Sequence, residues 1–464
     1  MGSREERMAQ GLHETPAGLS PAEDLASGLH RVMTRAGFDG VVSGLERLSG
    51  GANMQSWLFH VGEEAFVLRR APSAEWVANR QLDMAKEAAV IRCARAGGVI
   101  APEVVADLEP GDDLGLGFIM RCVPGSPDPE NALSSPPELL GEIAAAMAQI
   151  HALDPADLPF LPVLEPAAGV EALAAQFAEA GGDRPPIALG LAWLRANLPP
   201  PAPLCVLHGD LRIGNLMVDQ GHLSGVLDWE LAHLGDAHED LAFGCMTVWR
   251  FGRLDKQGFG LGSVADLAHA YEAAGGTAFD PARFRFWLVY RTVWWALSAL
   301  SMGKGWRSGA DRSLERVVVA RRAAEQDLDL LLLIEADAPE AERARALAPS
   351  AAPPPPGEGE PSAAEILTAI SEWLAATVKP HMAGRERFEL AVAQNALGIV
   401  RRELAGRPSP HDKPLSEAIL AGSTTLAEPG LLAALRRRAL DTLAADMPKY
   451  PALSEARRLW EKTT

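Results

Sequence analysis

Cysteine is scarce, with four in 464 residues, at positions 93, 122, 205 and 245. They are scattered, which excludes a disulfide framework and any cysteine-based metal cluster and points to a reducing cytoplasm. No apolar run is long enough to span a bilayer. The charged N-terminus does not have the form of a signal peptide, so a cytoplasmic chain without a membrane partner is expected. Basic charge is also short: 43 Lys and Arg stand against 61 Asp and Glu, a net of −18. That balance argues against nucleic acid, whose binding relies on clustered Lys and Arg. No internal repeat is evident.

What is present concentrates between Val206 and Leu241. His208-x-Asp210 is followed by Asn215 five residues after the aspartate and by Asp228 eighteen after it. Asp210 follows the apolar run Leu204–Leu207, so it sits where a strand gives way to a loop. Asn215 precedes Leu216–Val218, Gly221 turns the chain, and Leu223–Leu227 forms the second arm of a hairpin that ends at Asp228. A hairpin returns its ends to one side, so Asp210, Asn215 and Asp228 can converge on one cleft. One carboxylate orienting a hydroxyl and taking its proton, with an amide and a second carboxylate holding Mg²⁺ against a triphosphate, is what phosphoryl transfer requires. Few oxygen ligands suit Mg²⁺, which keeps waters and substrate phosphates in its shell. His208 lies two residues before Asp210 and is expected to back the loop. Glu230, in Asp228-Trp229-Glu230, and Asp236 are grouped with it as loop supports.

Such a site needs a nucleotide-binding half, and its parts lie upstream. Leu45–Leu48 leads into Ser49-Gly50-Gly51, then Ser56–Val61 and Ala65–Arg70 follow as strands. The backbone N–H groups of a glycine pair can cap β- and γ-phosphates. Gln81–Ala96 has the pattern of a helix with Met84, Ala88 and Ile91 on one face. Gly117–Gly125 begins as an apolar strand and ends in Val123-Pro124-Gly125.

The segments H-G-D-L-R-I-G-N-L, V-L-D-W-E-L-A-H-L-G-D and E-D-L-A resemble the aminoglycoside phosphotransferase-like family, a relative of the protein-kinase fold, in the branch associated with acyl-CoA dehydrogenases. The resemblance implies an α+β, bilobal protein-kinase-like fold, with a small β-rich N-terminal lobe and a mainly helical C-terminal lobe. It implies ATP and Mg²⁺ as cofactors, Asp210 as catalytic base, and Asn215 and Asp228 as metal ligands. It places Arg69 where kinase-like strands carry a phosphate-pairing lysine, and Glu87 where a glutamate pins that cation. Arginine bridges phosphate and carboxylate with a planar fork but is not interchangeable with lysine. Met120 would back the adenine pocket, with backbone groups of Arg121 and Val123 bonding adenine. Asp236 and Asp240 fall at acidic positions whose implied role is structural. Ala237 departs from the family's proline, with a local effect expected.

Beyond the loop, Phe284–Met302 is rich in aromatics, with Trp287, Tyr290 and Trp294 on one helical face and Arg291 beside it. The stripe fits a core helix. It also fits an acceptor groove of Trp287, Arg291 and Trp294, with Arg285 or Arg291 meeting an anion. The acceptor is expected to be a small-molecule hydroxyl. The branch points to a hydroxyacyl group, free or as its CoA thioester, and to a functional link with an acyl-CoA dehydrogenase. An aminoglycoside or other amino-alcohol kinase is the first alternative, and a catalytically inactive nucleotide- or ligand-binding module the second.

The expected organisation is a disordered N-terminus (1–19), a nucleotide-binding lobe (20–125), a catalytic and substrate-binding lobe (126–336), a Pro-rich linker (337–362) and a helical C-terminal domain (363–464). Ser20 can cap a first helix with Leu25, Leu29 and Val32 on one face. The run of four prolines in the linker cannot continue a helix. In the last domain Ile366, Ile370, Trp373, Leu374 and Val378 mark one amphipathic helix, and Phe388, Val392, Ala396 and Ile399 the next. Leu431–Asp446 and Ala452–Trp460 follow. This domain resembles an uncharacterised helical domain encoded beside such phosphotransferases, and it is expected to dock on the catalytic lobe or to mediate homo-oligomerisation.

Overall fold

The computed structural model describes residues 21–48, 54–73, 77, 80–350, 361–406 and 409–461. Ser20, Ser49, Gly50, Gly51 and the four prolines at 353–356 lie outside the described residues. The chain forms two compact units, one of residues up to 95 with 101–123, the other of 96–100 with 124–464.

The first unit is a five-stranded antiparallel sheet of β1 (Val42–Arg47), β2 (Gln55–Val61), β3 (Glu64–Arg70), β4 (Val104–Asp107) and β5 (Gly117–Arg121), in the order β1-β2-β3-β5-β4. Alternation along β2 and β3 sends Phe59, Val61, Phe66 and Leu68 to one face, where helix α1 (Pro21–Arg35) lays down Leu25, Leu29, Val32 and Met33. Each fully buried side chain of this kind contributes on the order of 2 kcal/mol. The second helix, α2, runs Met84–Ala96 and not from Gln81. Asp83 sets that start, because its Oδ1 accepts the Lys86 N–H at 2.8 Å, the bond of an N-terminal cap. β4 was not anticipated: four residues with one flanking acid give too little alternation to register.

After a short helical turn at Pro129–Leu133, the second unit has α3 (Glu138–His151), α4 (Pro166–Glu179) and α5 (Pro185–Ala196). Two small β-pairs follow: β6 (Cys205–Leu207) with β9 (His233–Gly235), and the hairpin β7 (Leu216–Asp219) with β8 (His222–Val226). Gln220 and Gly221 both have positive φ, 49° and 88°, which is the two-residue turn that matches strand twist. Then come α6 (His238–Phe243), α7 (Val264–Ala273) and the 28-residue α8 (Pro281–Ser308). Asp280 caps α8 at its start and Gly309, at φ 85°, ends it. Helices α4, α5 and α6 surround α8, together with α9 (Leu314–Ala320) and α10 (Ala323–Ile334).

The C-terminal helices are α11 (Ala363–Trp373), α12 (Gly384–Leu404), α13 (Lys413–Leu420), α14 (Leu431–Asp446) and α15 (Pro451–Trp460). α13 packs on α5 and α14 on α10. The docked helices and α5 cover a row of buried acids on α10, Glu325, Asp327 and Asp329. Glu325 pairs with Arg322 and Asp327 with Arg184, while Asp329 accepts the Tyr450 hydroxyl at 2.6 Å. The stripe on α11 behaves otherwise: Ile366, Ile370 and Trp373 stay exposed, as does Phe388 on α12.

Candidate active site

β6 carries the chain into the loop and stops at Leu207. His208 is fully buried, its Nδ1 accepting the Asp210 N–H at 3.2 Å and its Nε2 facing the Leu227 carbonyl at 2.9 Å. Those two bonds require the Nε2–H tautomer, and the ring packs on Trp229 with centroids 4.7 Å apart. Gly209 has φ 80°, and a Cβ there would meet the Leu231 carbonyl oxygen at 2.3 Å, so no other residue fits. From behind, buried Asp240 accepts the N–H groups of His208 (2.8 Å) and Gly209 (2.9 Å) and faces His151 Nε2 at 3.3 Å. Burial alone would raise the Asp240 carboxyl, but the bond from His151 and the backbone donors outweigh it and hold it well below the usual range.

Asp210 points to a partly open position, its side chain 13% exposed. Oδ1 faces Arg212 Nε at 3.0 Å and Oδ2 accepts from Asn215 Nδ2 at 2.8 Å. The same Nδ2 bonds the Asp210 carbonyl oxygen at 2.8 Å. Burial raises the Asp210 carboxyl above the ordinary range, Arg212 pulls it down, and the charge of Asp228 raises it again. The hairpin closes the circuit, because the Leu227 N–H donates to the Asn215 carbonyl at 2.8 Å and so brings Asp228 beside Asn215. Asp228 is itself held at φ 68°, a left-handed backbone that aspartate tolerates better than most residues but still at a cost. Glu230 is half-buried in the turn that follows.

Asp236 and Glu239 face inward. Asp236 accepts from Arg283 (2.6 Å), from Trp287 Nε1 (3.0 Å) and from the His238 N–H (3.0 Å). Glu239 is fully buried and pairs with Arg291 and with His233 at 3.2 Å. Burial alone would lower the His233 pKa, and Glu239 more than reverses this.

In the first unit β3 and α2 present an ion pair. Arg69 Nε lies 2.9 Å from Glu87 Oε1, and Arg80 Nη1 lies 3.3 Å from Oε2, with the Glu87 side chain fully buried. Met120 pairs across the sheet with Val67, and Arg121 with Phe66. The Arg121 side chain is spent on Glu103 (2.7 Å) and Glu64 and lies over Phe66. Val123 is half-buried just past the strand end.

The groove expectation needs correction. Trp287 is fully buried and Arg291 is 4% exposed. Both hold the loop's acids from inside, so neither lines a groove. Trp294 is half-buried, its ring 4.9 Å from the Arg291 guanidinium. Arg285 is committed to Asp337 at 2.8 Å. Arg212 and Arg80 went unnoticed in sequence, since arginines in irregular segments carry no period. The Arg212 guanidinium also stacks over Trp249 at 4.5 Å.

A family model described as the phosphotransferase enzyme family matches residues 44–287, a span that holds Arg69, Glu87, Asp210, Asn215 and Asp228. A second model, described as a domain of unknown function (DUF6285), matches residues 380–450. The chain is 31% identical over 115 residues to the Arabidopsis thaliana protein named probable acyl-CoA dehydrogenase IBR3, covering 21% of this chain and 14% of that one. It is 36% identical over 61 residues to acyl-CoA dehydrogenase family member 10 of Mus musculus, covering 13% and 6%. It thus spans only a small part of these relatives' length. Among solved structures, a Ralstonia eutropha protein classed as an aminoglycoside phosphotransferase superposes with a TM-score of 0.53 at 21% identity, covering 67% of this chain and 98% of that one. That likeness is one of fold.

Proposed function

This chain belongs to the phosphotransferase enzyme family, and from that premise we propose that it transfers the γ-phosphoryl group of ATP to a hydroxyl of a small molecule. The carrying observation is the fixed triplet of Asp210, Asn215 and Asp228, joined by the Asn215–Asp210 bond and the Leu227–Asn215 backbone bond. Asp210 orients the acceptor hydroxyl and takes its proton as the oxygen attacks phosphorus. Arg212 and Asn215 hold that carboxylate in one rotamer, so the orientation is set before the acceptor arrives. Arg69, steadied by Glu87, meets the nucleotide phosphates with a planar fork. Ser49, Gly50 and Gly51 supply backbone N–H groups there, and Met120, Arg121 and Val123 take the base.

The donors at the loop fit Mg²⁺. Asn215 spends its N–H on Asp210, which leaves the amide oxygen as the coordinating atom, and Asp228 adds a carboxylate. Two hard oxygens suit an ion that keeps waters and phosphate oxygens as its other ligands. When bound, Mg²⁺ supplies charge neutralisation on the triphosphate.

For the acceptor we favour a hydroxyacyl compound, free or as a thioester, with a functional link to an acyl-CoA dehydrogenase. The names of the two partial relatives support this. A polycationic aminoglycoside is disfavoured because the acids nearest the loop, Asp236, Glu239 and Asp240, are buried and committed to internal partners. The test is ADP release by the purified chain with Mg²⁺–ATP and a panel of hydroxyacyl-CoAs, free hydroxy acids, aminoglycosides and choline-like alcohols. Release that depends on the hydroxyacyl group supports the reading. ATP binding without acceptor-dependent release from any class would favour a non-catalytic binding module.

A further inference from the structure

A cavity of about 620 Å³ lies within the second unit, and no residue between 206 and 241 lines it. Its walls come from Thr247–Gly252, from Arg322 and Glu325 at the start of α10, from α11 and α12, and from Met447–Pro451. It therefore draws on both matched regions of the chain and exists only because the C-terminal helices are docked. Its size falls in the range of small-ligand sites.

The lining chemistry has two parts. Arg322, Arg401, Arg402 and Lys449 face it against one carboxylate, Glu325, which Arg322 already engages at 3.1 Å. In a chain of net charge −18 such a local excess of cations is not a reflection of composition. Arg401 donates to Thr368 Oγ1 at 3.3 Å and Arg402 Nε to the Ala445 carbonyl at 2.6 Å. Arg402 Nη2 is buried and, among the described residues, has no hydrogen-bond partner. A buried guanidinium N–H left in that state is destabilising, and an anion would offset that cost. Burial and the neighbouring Arg401 both lower the Arg402 pKa, as expected where positive charge is crowded and dry. The rest of the wall is mixed: Val248, Phe251, Leu367 and Leu397 give it an apolar part, beside the polar side chains of Ser371, Gln394 and Asn395. Phe251 is held at φ 47°, a strained backbone for a bulky residue and of the kind that collects at ligand sites.

We propose that this cavity binds an acidic head group carried on an apolar chain, with Arg402 and Arg401 taking the acid and the Val248–Phe251 and Leu367–Leu397 walls taking the chain. The shared ligand chemistry is an acyl chain ending in an anion, whether the carboxylate of a free acid or the phosphates of an acyl-CoA thioester. The site stands independently of phosphotransfer.

The test is calorimetric titration of the full chain, without nucleotide, using decanoate, decanoyl-CoA and decanol. At least one acidic probe is expected to bind ten times or more tightly than decanol, and to weaken as salt rises. Arg402→Gln should reduce its binding about tenfold, and Arg401→Gln should reduce it by a smaller factor. Ala391→Phe, which fills the cavity from a lining position, should abolish it. Decanoate binding identifies the carboxylate source, and decanoyl-CoA binding alone identifies the phosphates. Equal affinity for acidic probes and decanol, no binding of either acidic probe, or unchanged binding in Ala391→Phe overturns the proposal. If Arg402→Gln does not fold, Arg401→Gln and Ala391→Phe still decide it. Loss of kinase activity with binding intact leaves it standing.

Discussion

The loop from His208 to Asp240 and helix α8 use the same side chains to opposite ends. In the loop, aspartate, asparagine and arginine brace one another around Asp210, whose side chain keeps 13% of its surface open. In α8, arginine and tryptophan turn inward: the side chains of Arg291 and Glu239 are 5% and 0% exposed, and Trp287 bonds Asp236 from within. A polar constellation becomes a candidate site when its members converge on a position that a substrate can reach. One that closes on itself is a clamp. The helix is the clamp that keeps the far end of the loop in place.

The contrast predicts different failures. Asp210→Asn should lower kcat by about 10²–10⁴-fold, the usual worth of a positioned proton acceptor, with an unchanged melting temperature. Near-wild-type turnover would place the reacting base elsewhere. Arg291→Leu should act on stability instead. It leaves buried Glu239 facing His233 without its guanidinium, and breaking such a pair costs about 3–5 kcal/mol. Urea unfolding would show that loss, while the folded protein keeps its acceptor KM. A raised acceptor KM at full stability would restore the groove reading and erase the distinction between loop and helix.

The loop was legible because its information is local. Two turn residues and two short strands fix the distance between Asn215 and Asp228, and Gly209 can be nothing else where the Leu231 carbonyl passes at 2.3 Å. The sheet of the first unit was legible for the same reason, through the alternation of Phe59, Val61, Phe66 and Leu68. Helix periodicity carries less. It identified a stripe in α8 that fitted a core helix and an acceptor groove alike, and the burial of Trp287 and Tyr290 decides for the core. It identified another in α11, where Ile366, Ile370 and Trp373 remain exposed. A period proves that a helix has a face and is silent on what meets it. Asp327 and Asp329 of α10 depend on Arg184 and Tyr450, which are distant in the chain and which no window of sequence contains, whereas Arg212 and Arg80 meet nearby Asp210 and Glu87 from irregular segments that carry no period.

Those α10 acids extend the clamp side of the comparison to the C-terminal helices. Burial raises the Asp329 carboxyl to about 7, with the Tyr450 hydroxyl bond opposing the rise. Below pH ~4, the ordinary aspartate pKa, the group is protonated in the folded and unfolded chains alike, and its burial carries no ionisation penalty. Between there and about pH 7 the unfolded chain ionises first, so folding stability declines across that window. Asp329→Asn keeps an acceptor for Tyr450 and removes the titration. Its melting temperature relative to wild type should therefore rise from pH 5 to pH 8, by the equivalent of no more than a few kcal/mol. Parallel pH profiles for the two proteins would mean that Asp329 does not carry this burden.

Arg69 belongs to both categories, and that makes it the finest probe of the difference. Its Nε meets a fully buried carboxylate, as a clamp does, yet its side chain remains 12% exposed, as Asp210 does. Arg80 shares Glu87, so the carboxylate keeps a cation if Arg69 is weakened. Arg69→Lys retains the charge but loses the fork that can hold Glu87 with one edge and phosphate with another. If Arg69 serves the nucleotide, the nucleotide KM should rise about tenfold, some 1.4 kcal/mol, with little change in melting temperature. A lower melting temperature at unchanged nucleotide KM would make Arg69 a clamp like Arg291, and would move the search for the phosphate-binding cation elsewhere in the first unit.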